Sequence, residues 1–411
     1  MPVGDIKVKT LKAGDIDLLD YNQATYAGFN IYEDILNPFG PTCDIRVVDH
    51  SDALGKNNLN GDYSKSVEIA FTIDDSSNEA SFKFKQYRNK DLDDQASDEQ
   101  GSGHSKQYDV CGVSQEFLNA QGNYVEKSYN ELTSSILKDI LKNNFKTDKN
   151  IDIQESTKGK RRLVFGKDHP LEAIQKLNGE HVSSENESSC FVCFQRSNNY
   201  IFASFEHLFK QSPVIKLEQS TTLDYGSATN EQKQNSILWI KVSDSFFTPS
   251  RSLSTASETT FNLTTHGVSS VTPKPTSFYT AEGKGKGLYA NAASYSDTVT
   301  VPKVLDKAND KNKHDSATAK KKRTEYLSHL AQNSAELEVI GNPKIKLGSM
   351  IDLKIFKKSN TNNAAGENQF NGKALVVAIR HKVKPLGSSP RYTMILRVIK
   401  ASYKEGNGGN A

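Results

Sequence analysis

Between residues 350 and 398 apolar and polar side chains alternate with a period of two, and this constrains the fold more than any other feature of the chain. Ile351, Leu353 and Ile355 alternate with Asp352 and Lys354. Leu375, Val377 and Ile379 alternate with their neighbours, and Tyr392, Met394, Leu396 and Val398 do the same. Successive side chains of a strand point to opposite faces, so each run reads as a strand with one buried and one solvated face.

The pattern recurs near the N-terminus. Cys43, Ile45 and Val47 alternate, then Val67, Ile69, Phe71 and Ile73, then Phe82 and Phe84 against Lys83 and Lys85. These read as half-buried antiparallel strands. Turn-rich residues 52–62 and the acidic, aperiodic stretch 91–105 separate them and read as loops. Tyr108, Val110 and the run to Val113 would close this first sheet or barrel.

Helical spacing appears in the middle. Ser128 and Glu131 stand at capping-box spacing before a stripe of Leu132, Ile136, Leu137, Ile140 and Leu141. Asp168 before Pro170, then Leu171, Ala173, Ile174 and Leu177 with Gly179 as a stop, predict a second helix. An aromatic hairpin follows, with a turn expected at Asn198 and Asn199. Residues 237–242, holding the only tryptophan, Trp239, read as a further strand. The polar region 246–310 reads as inserted loops and short strands. Residues 317–333 predict a Lys-rich helix leading into the C-terminal strands.

The resulting expectation is a mainly β chain with α+β insertions: two antiparallel β-barrels plus helical and loop-rich middle domains. The boundaries are a first barrel at 1–115, an α+β domain at 116–212, a discontinuous second barrel at 213–245 plus 330–405, an inserted loop-rich domain with a basic helix at 246–329, and a flexible tail at 406–411. Only 36% of the residues are apolar and the mean hydropathy is −0.61. For 411 residues, that points to an extended shape or much interface. With 52 basic against 49 acidic residues, the chain lacks the excess expected of a dedicated nucleic-acid reader. It shows no signal-peptide core and no apolar run long enough to span a membrane, so cytosolic synthesis without membrane insertion is expected. Its four cysteines do not suggest a disulfide framework.

Motifs that could carry chemistry resolve into structural readings. Cys190 and Cys193 form a Cys-x-x-Cys, but no second pair or nearby His pair completes a zinc site, and three positions apart on a strand they face opposite ways. The run from Gly283 to Gly287 lacks the order of a phosphate loop and reads as a flexible basic loop. Carboxylates at Asp91, Asp93 and Asp94, or at Asp74 and Asp75, lie in polar context unsuited to raised pKa values. No nucleophile motif appears. The aromatic set Phe191, Phe194, Tyr200, Phe202, Phe205 and Phe209 reads as core rather than as a base-stacking platform. No catalytic residue, cofactor or metal is therefore expected. Interface residues are expected at Trp239, Phe246 and Phe247. Basic residues that could face a channel or partner are Lys284, Lys286, Lys320, Lys321, Lys322 and Arg323.

The order of the C-terminal signals is distinctive. A Gly341-Asn342-Pro343 turn and a Leu347-Gly348 turn precede one strand, and a strand running through His381-Lys382-Val383 precedes the last. This order resembles the central baseplate hub of contractile-tailed bacteriophages of the T-even kind. The helix, the short helix opening at Asp168-His169-Pro170, and the aromatic hairpin ending Ser204-Phe205-Glu206-His207-Leu208 are similar to what that family carries between its two barrels. The resemblance implies tail-tube-like barrels and a homotrimer presenting a pseudo-sixfold ring. Its implied partners are a separate spike protein, a tail-tube or tube-initiator protein, the tape-measure protein and baseplate wedges, with DNA only in passage. It implies a structural role, not an enzyme, in the virion baseplate after assembly in the host cytoplasm. The hub part of type VI secretion spikes shares this fold, so a related contractile injection system is the alternative. An OB-like module binding nucleic acid or glycan is a second.

Overall fold

The computed structural model describes residues 4–20, 24–49, 64–73, 79–94, 106–179, 182–185, 189–219, 229–242, 257–262, 267–271, 279–280, 283–284, 298–300, 323, 327, 330, 334–355, 370–386 and 389–400. The N-terminal strands are β1 (Ile6–Ala13), β2 (Ile16–Asp17), β3 (Ala24–Asp34), β4 (Thr42–Asp49), β5 (Ser66–Ile73), β6 (Glu79–Asp94) and β7 (Lys106–Val113). Cys43, Ile45 and Val47 of β4 are buried, as are Val67, Ile69, Phe71 and Ile73 of β5, matching their alternation in sequence. The acidic stretch starting at Asp91 departs from expectation. Strand β6 continues to Asp94, with Asp91 opposite Tyr108 and Asp94 opposite Lys106, because backbone pairing with β7 supplies order that the side-chain pattern does not.

A smaller α+β unit follows. It comprises α1 (Gln115–Gln121), β8 (Val125–Leu132), α2 (Thr133–Asn143), β9 (Asn150–Ile153), β10 (Lys160–Asp168), α3 (Pro170–Gly179), β11 (Phe191–Arg196), β12 (Asn199–Ser204) and α4 (Phe205–Phe209). The apolar stripe of α2 behaves as expected: Ile136, Leu137, Ile140 and Leu141 are fully buried. The capping box does not form. Ser128 and Glu131 lie exposed in β8, opposite Val164 and Arg161 of β10, and α2 begins only at Thr133 with no side-chain cap. Strand pairing has overridden a local capping signal. Pro170 opens α3, where its missing N–H and fixed φ cost nothing. The aromatic hairpin turns through Ser197 and Asn198, one residue earlier than expected, with Ser197 at φ 52°.

The C-terminal part holds β13 (Lys216–Glu218), α5 (Asn230–Gln234), β14 (Ile237–Val242), the short inserted strands β15 (Ser257–Asn262), β16 (Gly267–Val271), β17 (Tyr279–Thr280), β18 (Gly283–Lys284) and β19 (Thr298–Thr300), then β20 (Ser334–Ile340), β21 (Met350–Lys354), β22 (Gly372–Leu386) and β23 (Ser389–Ile399). The inserted strands form two small sheets of their own. Among the described residues no helix is long and apolar enough to cross a membrane.

Both ends of the chain contribute to one 13-stranded sheet, in the order β14-β20-β23-β22-β3-β4-β7-β6-β5-β1-β2, with β21 also paired to β22 and β13 to β21. Strand β22 is the joint. Along one edge it pairs with β23; along the other its first part pairs with β21 and its later part with β3. The sheet curls until its N-terminal start meets β23, where Tyr392 N–H donates to the Gly4 carbonyl at 2.8 Å. One hydrophobic core runs under both halves, from Leu11 and Phe29 to Leu337 and Leu396.

The α+β unit has a second core around Val125, Ile140, Phe145 and Phe165. Hairpin β11–β12 is the wall between the two. Cys190, Val192, Phe194, Ile201 and Ala203 face the large sheet's core, whereas Phe191, Cys193, Tyr200 and Phe202 face the smaller one.

Candidate functional site

The feature that distinguishes the large sheet is its solvated face. Where the buried face of β22 and β3 carries Ile379, His381 and Val383 against Phe29 and Ile31, the opposite face carries Arg380 and Lys382 against Tyr32 and Asn30. Arg380 Nε donates to Asn30 Oδ1 at 3.0 Å, and Asn30 Nδ2 donates to Asp44 Oδ1 at 2.6 Å. Tyr32 OH donates to the other Asp44 oxygen at 2.7 Å, while Arg46 Nε donates to Asp109 Oδ1 at 3.0 Å. Burial, then the bond to Asp44, pushes the Tyr32 phenol up to about 12. The Arg380 guanidinium lies 5.4 Å from the centre of the Tyr32 ring. These contacts stitch β22, β3, β4 and β7 together on the outside, across the line where the N- and C-terminal halves meet.

The network has a counterpart toward the edge. On β20, Glu338 accepts from Trp239 Nε1 at 2.6 Å, from Thr393 Oγ1 at 2.9 Å and from Lys382 Nζ at 3.5 Å. Burial alone would raise the Glu338 pKa, yet the bonds from Thr393 and Trp239 and the charge of Lys382 outweigh it and hold the carboxyl below its ordinary value. A carboxyl depressed in this way stabilises the fold above its unfolded-state pKa, and that contribution is lost as pH falls through the lower folded value. Acidification through and below the ordinary glutamate range is therefore expected to protonate Glu338, loosen its bond to the indole and shift the tryptophan emission. Glu338→Gln should flatten that response, and an emission titration of both proteins is the check.

Trp239 sits on β14, the terminal strand of the sheet, and is 37% exposed. Among the described residues β14 pairs with β20 on one side and with no strand on the other. Trp239 is thus the one expected interface residue that the structure describes, at an open edge. Phe246, Phe247, Lys286, Lys320, Lys321 and Lys322 lie outside the described residues. Lys284 is placed only as backbone of β18, paired with Tyr279. Arg323, expected to face a channel or partner, is described with a contact to the hairpin. Its Nη1 donates to the Phe191 carbonyl at 2.7 Å, and burial lowers its pKa.

Cys43, Cys190, Cys193 and the hairpin aromatics are core, and none of the four cysteines forms a disulfide. Cys190 and Cys193 face different cores as their spacing predicts, and burial pushes the Cys193 thiol up to about 12, which makes it a poor nucleophile. Phe191, Phe194, Tyr200, Phe202, Phe205 and Phe209 are all buried, and the stacked pair Phe191 and Phe202 packs inside the smaller unit. Among the described residues no three His, Cys, Asp or Glu side chains are grouped to hold a metal ion. The polar network was missed in sequence because its members are merely the residues alternating with apolar ones. Only strand register brings Asn30, Asp44 and Arg380 together.

No protein-family model matches this sequence, and no curated protein matches it significantly. The fold does have counterparts. A tail protein from Neisseria meningitidis MC58 aligns over 96% of this chain and 97% of its own, with a TM-score of 0.56 at 10% identity. The 43 kDa tail protein of prophage MuSo2 from Shewanella oneidensis aligns over 97% and 98%, with a TM-score of 0.54 at 12% identity. At such identities the likeness is one of fold. The architecture of this chain, a curled antiparallel sheet with a small α+β unit against it, is that of phage tail proteins, as the resemblance to baseplate hubs implies.

Proposed function

We propose that this chain is the central structural hub of a contractile phage tail's baseplate. Three copies would set their curled sheets side by side as a pseudo-sixfold ring between a spike protein and the tail tube. The observation that carries this reading is the sheet itself: long, curled, solvated on one face by paired charges, with an edge strand unpaired on one side among the described residues, in the fold of phage tail proteins. Open edges invite pairing with another chain, and an obligate ring satisfies them while burying interface, commonly about 2,000 Å² or more. The balanced charges of the solvated face suit a channel wall, since a uniformly basic surface would hold DNA instead of passing it. The tape-measure protein and DNA would traverse this channel, and wedge proteins would gather outside. The work is done by geometry and interface area in the virion baseplate, after assembly in the host cytoplasm.

Light scattering of the purified chain at low and high salt tests the reading. The expected mass is three times 45.5 kDa at both salt levels. A monomer at every concentration counts against a self-assembling hub and favours a module that joins a ring built by others.

A further inference from the structure

A cleft of about 1490 Å³ opens between strands β5 and β6 of the large sheet, the β11–β12 turn and the loop joining β20 to β21. It lies on the opposite side of β22 from the solvated network. That volume exceeds the roughly 300–1,000 Å³ of small-molecule pockets and suits a length of polypeptide. Its lining is basic and partly apolar. Lys146, Lys344 and Lys346 line it and make no ion pair among the described residues, with Lys344 and Lys346 both exposed. Other lysines of the lining are already neutralised, Lys83 by Glu68 at 2.9 Å and Lys149 by Glu116 at 2.7 Å.

Four groups in the lining are incompletely satisfied: the acceptors Glu116 Oε2 and Gln195 Oε1, and a nitrogen each of Arg196 and His381. Arg196 donates from Nε to the Leu347 carbonyl at 2.7 Å and rests on the Phe194 ring, but its Nη2 has no partner and no carboxylate pairs with it among the described residues. Burial lowers its pKa. Gly348, at φ +72°, makes room for it: a Cβ there would stand 2.8 Å from Nη2. His381 is 7% exposed. Its Nδ1 meets Tyr392 OH at 2.7 Å, and its Nε2 has no hydrogen-bond partner, with Glu33 Oε2 at 3.6 Å. Asp152 and Glu33 attract the Arg196 guanidinium only from beyond ion-pair distance, and a carboxylate in direct contact would match it more fully.

We propose that this cleft docks an acidic polypeptide segment of a partner protein, one carboxylate seated on Arg196 and others met by Lys146, Lys344 and Lys346. Charge and lining choose the occupant. Carboxylates of Glu33, Glu79, Glu116 and Asp148 are interspersed in the cleft wall, as are Phe82, Ile345 and Leu347. A nucleic-acid backbone, charged at every unit, would be repelled by those carboxylates. A peptide can place its acids against the free cations and its apolar side chains between them. The inference stands apart from the ring, since the cleft is complete within one chain.

Fluorescence anisotropy with a labelled ten-residue peptide of alternating Glu and Leu, its counterpart with Gln for Glu, and a single-stranded oligonucleotide tests it on the full chain at low salt. The expected result is binding of the Glu-Leu peptide but not of the Gln-Leu peptide, weakened about tenfold or more by K344E/K346E and by Arg196→Gln. The control K7E/K12E, the same charge change on exposed positions of β1, should leave affinity unchanged. If Arg196→Gln lowers the thermal midpoint, the two exposed lysines carry the test alone. The proposal is overturned if the Glu-Leu peptide binds no better than the Gln-Leu peptide, or if K7E/K12E weakens its binding as much as K344E/K346E. It is also overturned if the oligonucleotide binds more tightly and is lost with the same lysines.

Discussion

Phe29→Ala is expected to destabilise the chain by about 3–5 kcal/mol and to move the unfolding transition reported by Trp239, although the two residues lie in opposite halves of the sheet. Phe29 is 1% exposed and its ring lies 6.0 Å from that of Phe71. It sits on β3 opposite Val383 of β22, on the line where the N- and C-terminal strand sets meet. Truncation leaves a cavity in a core shared by both sets, so the loss is felt by each. Trp239 is the only tryptophan, which makes its emission a clean reporter on the C-terminal half. Denaturant unfolding followed by this emission and by far-UV circular dichroism should give one displaced transition in the variant. If Trp239 kept its wild-type midpoint while the circular dichroism split, the halves would unfold independently and the continuous sheet would not be an energetic unit.

The same line shows where sequence reading stops. Strand β4 keeps its buried residues at odd positions, Cys43, Ile45 and Val47, and β5 carries its large buried side chains there too, Val67, Ile69, Phe71 and Ile73, although the small Ala70 and Thr72 are also buried, so the period is plain. Strands β1 and β3 lose it. A bulge between Val8 and Thr10 separates buried Ile6 from buried Leu11 and Ala13, and one between Tyr26 and Gly28 separates buried Tyr26 from Phe29 and Ile31. Each bulge adds a residue, flips the parity of the inward face and erases the period-two signal. Strand β3, which meets β22 where the halves join, was therefore hard to see. Local patterns also could not reveal that β22 pairs with β3, a contact between residues more than three hundred apart, nor which alternating polar residues would meet on the outer face. The α2 stripe and the opposed cysteines were legible because one period decides each.

Gly341 shows how a correctly read turn can be constrained for a reason the turn does not supply. The run Gly341-Asn342-Pro343 marks a chain reversal, yet Gly341 does not need glycine for its backbone angles. It needs it for space: a Cβ would stand 1.9 Å from Cδ1 and 2.1 Å from Cε1 of Tyr392. That ring cannot retreat easily. Tyr392 is 2% exposed, packs edge-on against Phe71 at 5.1 Å and bonds through its hydroxyl to His381. Its backbone is held on both sides as well, with its carbonyl accepting from Gly341 N–H at 3.1 Å and its N–H donating to Gly4. Gly341→Ala is thus expected to cost about 3 kcal/mol or more, the upper end for overpacking, because relief means breaking the bond to His381 or parting β20 from β23. Gly122→Ala is the matched control. It has no atom within 4 Å of the new Cβ and a φ of −95°, so its stability should stay within about 1 kcal/mol of wild type. Should the two substitutions lower the denaturation midpoint equally, the close approach of Tyr392 to Gly341 would not be what fixes the curl of the sheet at that corner.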